Sequence, residues 1–106
     1  MKDMAELNAL MLELLEDNIK GDPWQVTNRG REIIDEISNY AEQLEIFRVN
    51  MDRGQVFEGA TARQVYGYML DRVVNAPTII HRDMSVILIM PFLRMKLKGE
   101  NITPVA

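Results

Sequence analysis

The sequence feature that most constrains the fold is a stripe of apolar or small residues between positions 26 and 51. Its members recur at alternating steps of four and three, which is the spacing of one face of an α-helix. A soluble chain rarely leaves such a stripe exposed, so it requires cover from another helix or from a second chain. The stripe consists of Val26, Gly30, Ile33, Ile37, Tyr40, Leu44, Phe47 and Met51.

The stripe predicts a long second helix over 23–53. A first-turn proline places its start at Pro23, and Thr27 or Asn28 offers an alternative start. Gly54 ends it. A helix of close to thirty residues is roughly 45 Å long, whereas a compact domain of about 100 residues has a radius of gyration of about 13 Å. The helix is therefore expected to protrude as a coiled-coil-like hairpin or to run along a second copy.

Capping residues and apolar spacing predict three further helices. Asp3 with Glu6 begins the first, and Thr61 begins the third. Pro91 predicts a kink in the last helix, because proline lacks the backbone donor that a helix needs. The predicted ranges are 3–20, 61–75 and 78–98.

The segment LRMKLK, after Phe92, has two interpretations. Leu93, Met95 and Leu97 alternate with basic residues, as they would in a strand. A kinked helix through residue 98 is the alternative. We favour the helix, because the sequence contains no convincing strand that could pair with this one.

Together these elements predict an all-α fold, a small bundle of about four helices in a single domain over 1–106 with a flexible tail at 99–106. Helix 3–20 is too short to cover the long second helix. Gly30 also removes a side chain where another backbone could approach closely. We therefore expect at least a homodimer, with the stripe as the oligomer interface.

Composition excludes several classes of protein. With no cysteine and one histidine, the chain cannot form disulfides or the usual zinc sites. Its longest apolar run, residues 86–93, falls well short of the roughly 20 residues needed to cross a bilayer. The N-terminus lacks the order of regions found in signal peptides. We expect a cytoplasmic protein without a membrane partner.

Two acidic pairs suggest a possible enzyme. Glu13 and Glu16 form an ExxE motif, and Glu32 and Asp35 follow as ExxD. This pattern is similar to the signature of the all-α nucleoside triphosphate pyrophosphohydrolases, the MazG-like family. The resemblance implies that these acids hold Mg²⁺ ions that bridge a nucleotide's phosphates, and oxygen ligands at this helical spacing suit that ion. We favour the other interpretation, an ordinary solvated helix face.

Charge is distributed unevenly along the chain. Residues 1–58 hold six Lys/Arg and thirteen Asp/Glu, whereas residues 59–106 hold six and three. Arg94, Lys96 and Lys98 cluster in the basic half and are candidates for binding an anion or a nucleic acid. The sequence pI of about 4.9 and the lack of a nucleic-acid-binding motif argue against that partner.

The leading functional hypothesis is a small non-enzymatic interaction protein. It would act as a homo-oligomeric adaptor, regulator or inhibitor that binds a larger protein, with no catalytic residue, metal or cofactor of its own. The Mg²⁺-dependent enzyme and the nucleic-acid-binding protein are the alternatives. Eight methionines fit either a core or an adaptable interface, because thioether side chains repack easily.

Overall fold

The fold is built from packed helices, which confirms the all-α prediction. The computed structural model describes residues 3–20, 24–44 and 57–106. Within these ranges the chain forms four α-helices and one short antiparallel β-ladder. In chain order the elements are α1 (Met4–Asp17), β1 (Ile19–Lys20), β2 (Gln25–Val26), α2 (Asn28–Glu42), α3 (Ala62–Val74) and α4 (Ile79–Gly99).

Helix α1 begins where the sequence predicts and ends three residues earlier. The Asp3 carboxylate accepts a hydrogen bond from the Glu6 N–H at 2.9 Å, which satisfies one of the free amides of the first turn. The helix ends at Asp17 because the following residues pair with β2 in the ladder. The Asn18 side-chain amide donates to the Glu13 carbonyl and closes the last turn.

Helix α2 starts at the alternative position and not at Pro23. The Thr27 hydroxyl accepts from the Gly30 N–H at 2.9 Å and caps the helix. The residues just before it cannot be helical, because Val26 pairs with Ile19 across the antiparallel ladder. The predicted start at 23 is therefore wrong, and the start at Thr27 or Asn28 is confirmed.

Helix α2 is also shorter at its other end than the predicted range 23–53. It ends at Glu42, where the Gln43 and Leu44 amides donate to carbonyls three residues back and tighten the last turn. Its 15 residues amount to roughly 22 Å of helix, about half the predicted length. Leu44 then packs against the core. Residues 45–53 of the predicted helix lie outside the described residues.

Helices α3 and α4 match their predicted ranges within one residue. The Thr61 hydroxyl accepts from the Gln64 N–H at 3.1 Å, and the Gln64 side chain accepts from the Thr61 N–H at 2.9 Å. This capping box and the Thr78 cap of α4 fix both N-termini.

The segment after Phe92 is helical, which confirms the favoured prediction of a helix over a strand. Leu93 and Leu97 are buried whereas Met95 is 52% exposed, so burial follows the helical period of four and not the alternation of a strand. Pro91 lies buried inside α4, which runs on to Gly99.

The C-terminal residues, predicted as a tail over 99–106, return to the body of the domain. After α4 the Ile102 N–H donates to the Leu97 carbonyl at 3.1 Å, and Asn101 takes a φ of 54°, which together form a Schellman-type C-cap. The Val105 N–H then donates to the Val26 carbonyl at 2.9 Å. The end of the chain is thus hydrogen-bonded beside the start of α2.

The hydrophobic core lies between α2 and α4 and is completed by α1 and α3. No helix in the described ranges is long and apolar enough to span a membrane. The largest fully buried apolar side chains are Leu14, Val26, Ile33, Ile34, Ile37, Val65, Met69, Met90, Leu93 and Leu97.

Candidate functional site

The oligomer interface predicted from the stripe lies largely inside the chain's own core. Ile33 and Ile37 are at most 1% exposed, and Val26 and Gly30 are also buried. Tyr40 and Leu44 are partly buried against the same core. Phe47 and Met51 lie outside the described residues. The four buried positions cannot present a surface to a second copy, because α4 and α1 already cover this face of α2.

Gly30 does allow a close backbone approach, as the sequence predicts, but the neighbour belongs to the same chain. A Cβ at this position would lie 2.6 Å from the Asn18 carbonyl oxygen and 3.0 Å from the Asn18 Cβ. The Thr27 N–H donates to that carbonyl at 2.9 Å. Gly30 therefore allows α2 to pass close to the end of α1 in the same chain. The close approach at this position is not a contact with a second subunit.

The acids of the ExxE and ExxD motifs meet through an arginine that neither motif contains. Arg29 Nε donates to Glu13 Oε2 at 2.6 Å, and its Nη2 donates to Glu13 Oε1 at 3.0 Å. Its Nη1 donates to Glu32 Oε2 at 3.2 Å. Arg29 lowers the pKa of the Glu13 carboxyl, chiefly through these hydrogen bonds, and its own pKa is raised by them. The structure thus joins one acid of each motif in an ion-pair network.

This network does not form a magnesium site. The Arg29 guanidinium already pairs with both Glu13 and Glu32, so a cation would have to compete with it for these carboxylates. Glu16 is exposed and Asp35 is half-buried. Among the residues that the structure describes, no three His, Cys, Asp or Glu side chains converge on a point. The geometry does not favour the Mg²⁺ enzyme.

The three basic residues Arg94, Lys96 and Lys98 do not all lie on one face of α4. Residues two apart on an α-helix point in nearly opposite directions, so Lys96 faces away from Arg94 and Lys98. Arg94 Nη1 also donates to Asn39 Oδ1 at 2.7 Å, and its Nη2 forms an ion pair with Glu42. Arg94 thus fastens α4 to α2. The three residues do not form one anion-binding surface.

One groove on the described surface was not predicted from the sequence. It lies between α3 and α4 and has a volume of about 340 Å³. We call it the α3–α4 groove; it is lined by Phe57, Tyr68, Arg72, Ser85, Leu88, Ile89 and Phe92.

Three aromatic rings shape one end of the α3–α4 groove. Phe57 is buried and forms the floor. The Tyr68 ring meets the Phe57 ring edge-on with centroids 5.4 Å apart, and the Phe92 ring is tilted against the Phe57 ring, also at 5.4 Å. These are favourable aromatic geometries, so the rings hold one another in place. The groove is therefore preformed at this end.

A basic side chain marks the polar part of the groove. Arg72, in the last turn of α3, lines it and is exposed. Across the described part of the chain Arg72 makes no ion pair, and no carboxylate lines the groove. Ser85 lines it from α4 and donates its hydroxyl proton to the His81 carbonyl at 2.8 Å.

The exposed side of α4 continues this apolar surface. Ile80 is 73% exposed, Met95 is 52% exposed, and Met84 and Leu88 are half-buried. At 100° per residue these four positions lie within about 80° of the helix circumference. The signal for this surface in the sequence was the long apolar run at residues 86–93.

No protein-family model, characterised protein or solved structure matches this chain.

Proposed function

We propose that the chain is a small non-enzymatic interaction protein that binds a larger protein through the α3–α4 groove. The observation that carries the proposal is an aromatic-lined depression beside the exposed apolar residues of α4. Exposed apolar surfaces of this kind are characteristic of binding sites, because exposing them to water is unfavourable. Adaptor, regulator and inhibitor are the roles that such a protein can have.

The arrangement of side chains supports binding more than catalysis. Among the described residues that line the groove there is no carboxylate, and Ser85 donates to a backbone carbonyl within its own helix. An enzyme would need a nucleophile or a general base held by a partner group. Apolar walls with one cation are instead suited to recognising the side chains of a partner.

Partner capture by matched variants tests this proposal. The wild-type chain and the Leu88→Glu variant are immobilised, and proteins retained from a lysate of the source cells are identified by mass spectrometry. A charge at position 88 would be buried in the interface, so we expect the specific partner to be lost. Arg63→Glu is the control, because Arg63 is exposed on α3 and does not line the groove.

A second variant guards against an effect on folding. Tyr68 is 44% exposed, so Tyr68→Ser should leave the fold intact while removing one wall of the groove. Circular dichroism establishes that both variants are folded. If folded Leu88→Glu and Tyr68→Ser chains retain the same proteins as the wild type, the groove is not the binding surface.

A further inference from the structure

We propose that the α3–α4 groove binds an acidic amphipathic helix of the partner protein. This inference deepens the proposed function and rests on it. It assigns the class of ligand from three features of the groove: its apolar floor, its length and the charge of its rim.

The floor and walls of the groove require large apolar anchors. Phe57, Leu88 and Ile89 present apolar atoms, and the Tyr68 and Phe92 rings add flat walls. A volume of about 340 Å³ is at the lower end of the range of about 300–1,000 Å³ seen for ligand pockets. The groove therefore suits a few side chains of a partner and not a large cofactor.

The length of the groove matches two turns of a helix. Along α4 it extends from Ser85 to Phe92, which are seven positions apart and therefore about 10 Å apart along the helix. Apolar residues at positions i, i+4 and i+7 of a partner helix cover the same distance, and this is the usual spacing of helices that bind in grooves. An amphipathic helix is thus the secondary structure that fits.

The charge of the rim selects an acidic partner. Arg72 lies one turn further along α3 than Tyr68, toward the connection to α4, whereas the Phe57 contacts place Tyr68 and Phe92 together at the other end. Arg72 makes no ion pair within residues 3–20, 24–44 and 57–106. A carboxylate of the partner can accept two hydrogen bonds from its guanidinium. A basic helix would be repelled there.

Synthetic peptides of opposite charge test the inference on the intact chain. The acidic probe is a helical peptide of about sixteen residues with leucines at i, i+4 and i+7 and glutamates beside them. The basic probe has lysine at each glutamate position. Fluorescence anisotropy gives the Kd of each peptide. We expect the acidic peptide to bind at least about tenfold more tightly.

Two arginine variants provide the matched comparison. Arg72→Glu is expected to reverse the preference so that the basic peptide binds more tightly. Arg63→Glu makes the same charge change on the same helix, and nine residues of separation place it on the opposite side of α3. This control should bind both peptides as the wild type does.

The possible results distinguish failure of the acidic-helix inference from failure of the proposed function. Equal affinity for both peptides, or the same behaviour of Arg72→Glu and Arg63→Glu, overturns the acidic-helix inference and leaves the groove as a binding site. Absence of binding by either peptide, together with partner capture that is insensitive to Leu88→Glu, overturns the proposed function as well. Arg72-dependent binding to vesicles containing phosphatidylserine, without binding of the acidic peptide, overturns the inference in favour of a lipid surface.

Discussion

Arg29 on α2 and Glu13 on α1 form a two-point ion pair, with Nε–Oε2 at 2.6 Å and Nη2–Oε1 at 3.0 Å. The same guanidinium reaches Glu32, so one cation connects acids on two helices. Glu13 and Glu32 therefore act as partners of an arginine that links α1 to α2, and not as the metal ligands that the acidic motifs suggested. This ion pair also makes the stability of the α1–α2 packing dependent on pH.

Glu13→Gln is expected to lower the melting temperature at neutral pH by removing this ion pair. Because Arg29 lowers the folded-state pKa of Glu13, the contribution is complete above the ordinary value of 4.5 and is lost as pH falls through the lower folded value. The melting-temperature gap between the wild type and Glu13→Gln should therefore be constant between about pH 5 and 7 and shrink below that range. Glu16→Gln, an exposed acid on the same helix, is the control for charge removal. A gap that persists unchanged in acid contradicts this assignment.

Gly30→Ala and Gly67→Ala are expected to change stability in opposite directions. A Cβ at Gly30 would meet the Asn18 carbonyl oxygen at 2.6 Å, so the variant should lose about 1–3 kcal/mol. A Cβ at Gly67, inside α3, meets nothing within 4 Å, so alanine should gain about 0.5–1 kcal/mol from lower backbone entropy in the unfolded chain. Denaturant unfolding measures both. If Gly30→Ala is as stabilising as Gly67→Ala, the close approach at Asn18 is not a constraint.

Ser38→Ala is expected to stabilise the protein. Its hydroxyl is fully buried on α2 and has no hydrogen-bond partner within the described part of the chain. Removing an unsatisfied buried hydroxyl should gain about 1 kcal/mol. Ser85→Ala on α4 is the comparison, because that hydroxyl is satisfied by the His81 carbonyl at 2.8 Å and both changes raise helix propensity alike. Thermal unfolding that shows no difference between the two would argue against an unsatisfied hydroxyl.

Arg94→Ala is expected to destabilise the packing of α4 on α2. The Arg94 side chain is 13% exposed and is bound by both Asn39 and Glu42. Losing hydrogen bonds to this charged group should cost about 1–2 kcal/mol in the free energy of unfolding. Lys98→Ala, at an exposed position near the end of the same helix, should have almost no effect. Equal losses for the two variants in urea unfolding would mean that Arg94 does not fasten the helices.

Ile37→Ala distinguishes a core position from a subunit contact. Ile37 is 1% exposed, so truncation should cost about 2–5 kcal/mol through cavity formation. The loss should not depend on protein concentration, whereas the loss of an interface residue would. If the unfolding midpoint shifts with dilution for the wild type but not for Ile37→Ala, then Ile37 contributes to a subunit interface.

Homo-oligomerisation itself stays a prediction. With Val26, Ile33 and Ile37 buried within one chain, it depends on surfaces other than those three residues. Light scattering should give at least twice the 12.2 kDa of one chain. A single-chain mass across the accessible concentration range would remove this part of the proposal.

Local sequence is sufficient to predict the N-caps of α3 and α4 and the face of α2 that is buried. The Thr61 and Thr78 caps each involve an amide three residues away, so local chemistry sets them without reference to the rest of the fold. The three-four spacing placed Ile33 and Ile37 on one apolar face, which the structure buries. Such features depend on neighbours within one helical turn and are readable from the chain.

The start of α2 and the elements that cover its apolar stripe depend on tertiary contacts. The start depends on Val26 pairing with Ile19, and the cover comes from α4, whose residues are distant in sequence. The α3–α4 groove likewise exists because Phe57 packs between Tyr68 and Phe92. The apolar spacing of a helix predicts that one face is buried, but it does not predict which element covers that face. Hydrophobic burial is non-directional, so many arrangements of the helices satisfy it.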